Sequence, residues 1–316
     1  MSIRIALSSD DNYVVPLAAC VRSILDNAHP TGDVEIAVLS CGITADSRRK
    51  LVASWGPAAA RVTWIDIDLS RLAGLPTKSR ATGHLNATTY ARLLLPDVLP
   101  ETWDRVLFLD TDLLVLGSLA ELWTTPLGEF PFAAARDPYT PLISSEHGVP
   151  GWQALRLDPN APYFNAGVLL IDLPRWRRDR ISKRAFDYIR DHRDEILLAD
   201  QEAMNAVANG GFRVLDPVWN VMNYWYWPED DVFVQEHVVD HARIRHYNGD
   251  NKPWVSWKYH KLERLRQRSL RGEERPWSQL RHEHCDYDVF FDYLDRTAWR
   301  GWRPAPEPAG DGVPVA

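Results

Sequence analysis

Cysteine is scarce in this chain: Cys20, Cys41 and Cys285 are the only three in 316 residues, far apart and odd in number. That excludes a disulfide framework and predicts a reducing compartment. Long apolar runs are also absent; none approaches the roughly 20 residues that a membrane-spanning helix needs. The chain enters Ile3-Arg-Ile-Ala-Leu7 almost at once, without the basic region and apolar core of a secretory signal. A cytoplasmic protein is the expectation. Positive charge is not in excess, since 36 Lys and Arg stand against 43 Asp and Glu for a net charge of -7. This argues against a dedicated nucleic-acid binder. No internal repeat is visible, and the length allows one large α/β domain or two modest ones. Tryptophan, by contrast, is plentiful at 14 residues. Many lie after residue 215, where aromatics serve as core, sugar platform or interfacial belt.

Apolar runs alternate with helical stripes through the first part of the chain. Ile3–Leu7, Val34–Leu39 and Val62–Ile67 read as strands. Between them, Pro16 suits a first helical turn, Leu17, Cys20, Val21, Ile24 and Leu25 form a stripe, and Thr44 can cap a helix running to Trp55. This order predicts βαβ units and a mostly parallel sheet flanked by helices, with ligands beyond the carboxyl ends of its strands. Further on, Tyr90–Leu95 reads as a helical run ended by Pro96, Phe132–Ala135 as a strand, and Ile181–Arg193 as a helix. A buried strand reaching Asp172 is entered through an Asn165-Ala166-Gly167 turn, and Asp200 is placed as the N-cap of a helix stopped by Gly210-Gly211. Arg213–Leu215 and Arg243–Tyr247 are late strands. Composition shifts at Trp257, after which Lys258, Lys261, Arg264, Arg266, Arg268, Arg271 and Arg275 crowd together around Leu262, Leu265 and Leu270. Such a basic amphipathic helix suits an anionic membrane surface, or is a solvated terminal helix. The expected division is a main domain over 1–256, a basic and aromatic extension over 257–302, and a disordered Pro/Gly/Ala-rich tail over 303–316.

The chemistry is expected where the apolar run Val106–Leu109 ends in Asp110-Thr111-Asp112. On an extended backbone residues i and i+2 point to the same side, so the two carboxylates can converge, and a divalent cation such as Mg²⁺ or Mn²⁺ relieves their repulsion. Spacing alone favours the plainer alternative, aspartates capping a turn. Three other features bear comparison. His246-Tyr-Asn-Gly249-Asp-Asn-Lys252-Pro-Trp254 combines a metal ligand, a glycine permitting close backbone approach and a cation suited to phosphate. Asp200-Gln201 opens a helix, and Phe164-Asn165-Ala166-Gly167 is small enough for ligand approach.

Taken in order, Asp10-Asp11-Asn12-Tyr13, Thr88-Thr89-Tyr90-Ala91-Arg92, Leu109-Asp110-Thr111-Asp112, Tyr163 to Val168, Asp200-Gln201 and His246 to Trp254 resemble glycosyltransferase family 8, from Ile3 to about Trp254. The resemblance implies a GT-A fold and a retaining enzyme using a UDP-sugar and Mn²⁺, with Mg²⁺ the alternative, to build saccharide or glycolipid, as in bacterial lipooligosaccharide galactosyltransferases. It implies that Ser8, Asp10 and Asn12 line the uridine site and that Tyr13 stacks on or flanks the base. Asp110, Asp112 and His246 would hold the metal, with Thr111 between them in the donor site, while Gly249 and Lys252 meet phosphate oxygens. Arg92, Asn165, Ala166, Asp200 and Gln201 would surround the donor sugar, Gln201 nearest the reacting carbon. The family's usual Ala-Ala before Asp-Asp-Asn is Ser8-Ser9 here. Asp137, Trp219 and Tyr224 are candidate acceptor contacts, with turn or core packing as the alternatives.

Other readings remain open on sequence. A metal-dependent nucleotide-sugar phosphohydrolase could use the same aspartates, and a catalytically inactive nucleotide or carbohydrate binder could retain the pocket. His282-Glu-His284-Cys285 lacks a second ligand group at recognisable spacing and reads as a surface cluster.

Overall fold

The structure, a computed structural model, describes residues 2–28, 33–79, 83–84, 86–222, 238–249, 252–277 and 287–306. Tyr224 and the His282–Cys285 cluster lie outside the described residues, as does most of the tail.

Strands β1 (Ile3–Ser9), β2 (Val34–Ser40) and β3 (Val62–Asp66) come first, joined by helices α1 (Val14–Asn27) and α2 (Ala45–Trp55). Short β4 (Lys78–Ser79) and β5 (Gly83–His84) precede a 3-10 segment, Ala87–Leu94, and α3 (Leu95–Val98). Then follow β6 (Arg105–Leu109), β7 (Leu113–Val115), α4 (Ala120–Thr124), β8 (Phe132–Arg136) and β9 (Phe164–Asp172). Helices α5 (Leu173–Arg178), α6 (Ile181–Asp191) and α7 (Ala199–Ala208) lead to β10 (Arg213–Leu215) and β11 (Ile244–His246). Two C-terminal helices, Ser256–Leu270 and Tyr287–Leu294, complete the described elements.

The main sheet has seven strands in the order β10-β8-β9-β6-β1-β2-β3. β1, β2, β3 and β6 run parallel, β8 and β10 are parallel to each other, and β9 alone opposes both its neighbours, β6 and β8. The apolar runs of the sequence are strands because both faces of this sheet are covered. Leu107 and Leu109 join one buried cluster with α1, while Val106 and Phe108, one residue out of phase, join the other with the 3-10 segment and α5–α7. Each fully buried Leu, Ile or Phe in these layers is worth about 1.5–3 kcal/mol against exposure.

Four local expectations are corrected. Asn165-Ala166-Gly167 is no turn: it lies within β9, whose Asn165, Ala166 and Gly167 pass beside the end of β6, with the Asp110 N–H donating to the Gly167 carbonyl at 2.9 Å. Pro96 does not end the helical run but occupies the first turn of α3, where its missing N–H costs nothing. Asp200 is not the N-cap of α7; Leu198 is, and Glu202 reaches back to accept from the Leu197 and Leu198 N–H groups at 2.7 and 3.1 Å. That frees the Asp200 carboxylate for other partners. Asp110-Thr111-Asp112 is not extended, since Thr111 and Asp112 form the turn from β6 into β7.

The described residues after 256 pack back on the body of the fold. Leu262, Tyr287, Phe290, Phe291, Leu294 and Trp299 belong to the same buried cluster as α1. Asn27 of α1 donates to the Tyr293 hydroxyl at 2.6 Å.

Candidate active site

Two adjoining cavities open at the carboxyl ends of β1 and β6. The smaller, about 230 Å³, is lined by Ser8, Ser9, Asp10, Tyr13, Asn86 and Thr88 among others. The larger, about 540 Å³, takes in Asp137, Asn165, Ala166, Gln201, His246 and Gly249. Thr89, Arg92, Asp110 and Asp112 line both. The aspartate pair therefore stands where the two spaces meet.

In the smaller cavity, Asp10 accepts from the Asn12 N–H at 2.9 Å and from the Asn86 side chain. Asn12 itself is exposed, and its backbone rather than its side chain ties it to the site. Tyr13 packs edge-on to Trp254, with ring centroids 6.2 Å apart, and burial pushes its hydroxyl pKa up. Asn86 was missed by sequence reasoning. The signal was present, because Asn86 two residues before Thr88 caps the 3-10 segment, its Oδ1 accepting from the Thr88 N–H at 3.1 Å.

The corner of Asp110, Asp112 and His246 is assembled by a two-stranded ribbon. β11 pairs antiparallel with β7, setting His246 opposite Leu113, and the Tyr247 N–H donates to the Asp112 carbonyl at 2.8 Å. His246 Nε2 consequently lies 3.2 Å from Asp112 Oδ1 and 3.9 Å from Asp110 Oδ2. Ligand atoms of Asp110, Asp112 and His246 fall within 4.8 Å of one another. Two carboxylates and an imidazole are a donor set that fits Mn²⁺ or Mg²⁺, so these three residues could hold a divalent metal. Gly167 makes the approach possible: a Cβ there would fall 2.3 Å from His246 Cε1.

Cations hold the two aspartates differently. Burial, with Asp112 close by, outweighs Arg92 and raises the Asp110 carboxyl above the ordinary carboxylate range. Burial also works against charge on Asp112, but Lys252 and His246 beside it hold that carboxyl well below the range. Lys252 donates to Asp112 Oδ2 and, at 3.0 Å, to the Tyr247 carbonyl. Gly249, on the connecting loop, has a φ of 66°, a conformation that glycine enters without strain.

Arg92, expected beside the donor sugar, is a buried clamp. It meets Asp200 Oδ2 at 2.7 Å and Asp110 Oδ1 at 2.8 Å, and donates to the Ala166 carbonyl at 2.5 Å. Asp200 also accepts from Thr89 Oγ1 at 3.0 Å. Gln201 is locked in turn. Its Oε1 accepts from the Ala166 N–H at 3.0 Å and from Asn165 at 3.1 Å, and its Nε2 donates to Asp137 at 3.2 Å. Asp137 thus joins Asn165 and Gln201 while capping the turn through the Tyr139 and Thr140 N–H groups. Thr111 is buried against the smaller cavity. Trp219, a candidate acceptor wall, is in the core at 5% exposure and is not among the residues lining either cavity. Asn220, next to it, was missed: it sits in an aromatic-rich stretch with no local signal, yet its side chain touches both His246 and Asn165.

Residues 4–258 match the family model described as Glycosyl transferase family 8. Among curated relatives, the lipopolysaccharide 1,3-galactosyltransferase of Salmonella typhimurium is 26% identical over 260 residues, covering 80% of this chain and 73% of the relative. General stress protein A of Bacillus subtilis is 26% identical over 263 residues, covering 80% of this chain and 88% of its own length. The solved galactosyltransferase LgtC, in complex with donor and acceptor sugar analogs, superposes with a TM-score of 0.72 at 27% identity. That match covers 95% of this chain and 99% of LgtC.

Proposed function

The chain belongs to glycosyl transferase family 8 and is a glycosyltransferase of GT-A fold. From that premise we propose that it moves a hexose, glucose or galactose, from a UDP-sugar to a hydroxyl of a saccharide or glycolipid, with retention and with Mn²⁺ bound. The carrying observation is the position of Asp110, Asp112 and His246 at the junction of the two cavities. In this reading UDP takes the smaller space, against Ser8, Asp10 and Tyr13, and the two sugars take the larger one.

The bound metal would supply charge stabilisation to the leaving diphosphate. Lys252, half-buried beside Asp112, adds a fixed cation on the same side, and the Gly249 backbone allows a phosphate oxygen to come close. No side chain of the larger cavity is poised as a nucleophile. Gln201 is an amide with both acceptor positions used, and Asp200 is held between Arg92 and Thr89. Attack by the acceptor on the face the diphosphate leaves is the reading this favours, with the departing phosphate as base. At the lip of the larger cavity, Tyr139 is 52% exposed, and its ring meets that of His147 edge-on at 5.2 Å, a platform suited to the acceptor sugar. Tyr139 takes the place proposed earlier for Trp219.

Among the described residues no helix is long and apolar enough to cross a membrane. Peripheral contact through 257–281 remains part of the proposal. Lys261, Arg264, Arg268 and Arg271 lie at near-helical spacing, all exposed, next to Leu270 at 66% exposure. Arg268 and Arg271 are paired with Glu274 and Glu273, but exposed pairs of this kind are worth about 0–1 kcal/mol and exchange readily.

Thermal stabilisation by a panel of nucleotide sugars, with and without Mn²⁺, tests the donor assignment, since ligand binding raises apparent stability. A UDP-hexose that stabilises only with Mn²⁺, and is then transferred to an acceptor sugar with retention, is the expected result. Stabilisation by no UDP-sugar, or hydrolysis that no acceptor diverts, would sink the reading. Gln201→Ala should lower turnover without abolishing it; a glycosyl adduct trapped on Asp200 would instead establish double displacement.

A further inference from the structure

The hydrogen bonds around β9 have a polarity that can be followed from groups whose roles are not open to choice. A backbone N–H only donates and a carboxylate only accepts. The Gly167 N–H donates to Asn165 Oδ1 at 3.0 Å, and Asn165 Nδ2 faces Gln201 Oε1 at 3.1 Å and Asp137 Oδ2 at 3.4 Å. The Asn165 amide therefore has one orientation. Asn220 must then present its Nδ2 to Asn165 Oδ1, which it meets at 2.9 Å. This leaves Asn220 Oδ1 facing His246 Nδ1 at 2.9 Å. Being an acceptor, it requires Nδ1 to carry hydrogen, so in the neutral ring the lone pair is on Nε2, aimed at Asp110 and Asp112.

We infer that Asn220 is a positioning residue: it sets the tautomer of His246 that can ligate a metal, and through Asn165 it ties that ligand to Gln201 on the sugar side. The inference rests on the metal reading of Asp110, Asp112 and His246. Asn220 is 1% exposed and His246 is 2% exposed, so water cannot readily replace the bond. With hydrogen fixed on Nδ1, Nε2, at 3.2 Å from a carboxylate oxygen, is the nitrogen that holds either a proton or a metal against the aspartates, so the relay leaves the ligating nitrogen on the correct side.

The test measures Mn²⁺ affinity of the full chain by titration calorimetry, in the absence of any sugar nucleotide, for four proteins. Wild type should bind, and Asp112→Ala should not. Asn220→Leu, matched in size but without an acceptor, should bind Mn²⁺ about 10- to 100-fold more weakly, the usual consequence of losing an outer partner of a ligating histidine. Asn220→Asp, which keeps an acceptor for Nδ1–H but loses the donor to Asn165 Oδ1, should recover part of that loss. Echo-modulation spectroscopy of bound Mn²⁺ should show the imidazole nitrogen in wild type and Asn220→Asp, and show it diminished in Asn220→Leu. Undiminished affinity and modulation in Asn220→Leu, with affinity lost in Asp112→Ala, would overturn the relay while leaving the metal site standing. Wild-type affinity in Asp112→Ala, or no Mn²⁺ binding by wild type, would overturn the metal reading beneath it. Should Asn220→Leu fail to fold, nitrogen-15 spectra of histidine-labelled wild type, with His246 identified by its loss in His246→Gln, decide the matter. Hydrogen on Nδ1 supports the relay, and an Nδ1 without hydrogen overturns it.

Discussion

The two cavities differ in how far the chain must travel to build them. The smaller draws on residues 8–13, 86–92 and 110–112, which are the ends of the paired parallel strands β1 and β6 together with the start of the 3-10 segment. The larger needs the same aspartates together with 137–147, 165–166, 198–201 and 246–249. One is made by local segments at the ends of neighbouring strands. The other depends on a reversed strand, a helix start and a two-stranded ribbon meeting correctly. The difference teaches that the smaller cavity is set by a few local contacts, whereas in the larger one Asp137, Asn165, Gln201, Asn220 and His246 form one hydrogen-bonded network that carries a distant change to the aspartates.

The largest effect should come from removing the ligand at the junction. Asp112→Ala is expected to lower transfer on the order of 1000-fold, because several kcal/mol of charge stabilisation leaves with the metal. Circular dichroism should show the fold retained. Undiminished turnover would defeat the assignment.

Next is Arg92, which joins Asp110 to Asp200 from within the core. Arg92→Ala leaves buried Asp200 and half-buried Asp110 without their cation and should cost about 3–5 kcal/mol in denaturant unfolding. A cost below 1 kcal/mol would mean that the clamp is not what holds the cavities together. Gly167→Ala places a methyl against His246 and should destabilise by about 1–3 kcal/mol through overpacking, with weaker Mn²⁺ binding. Unchanged Mn²⁺ affinity would show that the imidazole can retreat without cost.

Asp10→Ala probes the other side of the comparison. It loses charge-assisted bonds worth about 1.5–3 kcal/mol, so donor KM should rise about 10-fold while Mn²⁺ affinity stays put. A parallel loss of Mn²⁺ affinity would break the separation between the cavities.

The smallest effect is a pH dependence. Burial outweighs the bonds from Tyr188, Leu197 and Leu198 and raises the Glu202 carboxyl above its ordinary range. The folded chain then keeps this proton to higher pH than the unfolded chain does. Its contribution to stability is complete below the ordinary glutamate pKa and is lost as pH rises through the folded value. In Glu202→Gln the fall in Tm over that window should flatten; an identical slope would remove Glu202 as its source.

Much of the sheet was legible in the sequence. Apart from Arg4 and Glu35 near their starts, Ile3–Leu7, Val34–Leu39 and Val106–Leu109 are apolar on both faces, and such runs have few places to go except a covered parallel sheet. Thr44 caps α2 as read, its Oγ1 accepting from the Ser47 N–H at 3.2 Å. The errors came where local chemistry had a plausible meaning of its own. Asn-Ala-Gly looks like a turn, yet in β9 those small residues let Asp110 and His246 come close. Aspartate before a helix looks like a cap, yet Glu202 takes that task and Asp200 turns to Arg92.

The residue types at the site, their order along the chain and the strand ends they follow are determined by the sequence alone, because each depends on neighbours a few positions away. The convergence of Asp110 and Asp112 with His246 is not. It arises because β11 pairs with β7 across more than a hundred residues of chain, and no periodicity carries that register. Asn220 illustrates the same limit. Its importance is a matter of which atoms face its amide, and those are contributed by Asn165 and His246 only once the ribbon has closed against β9.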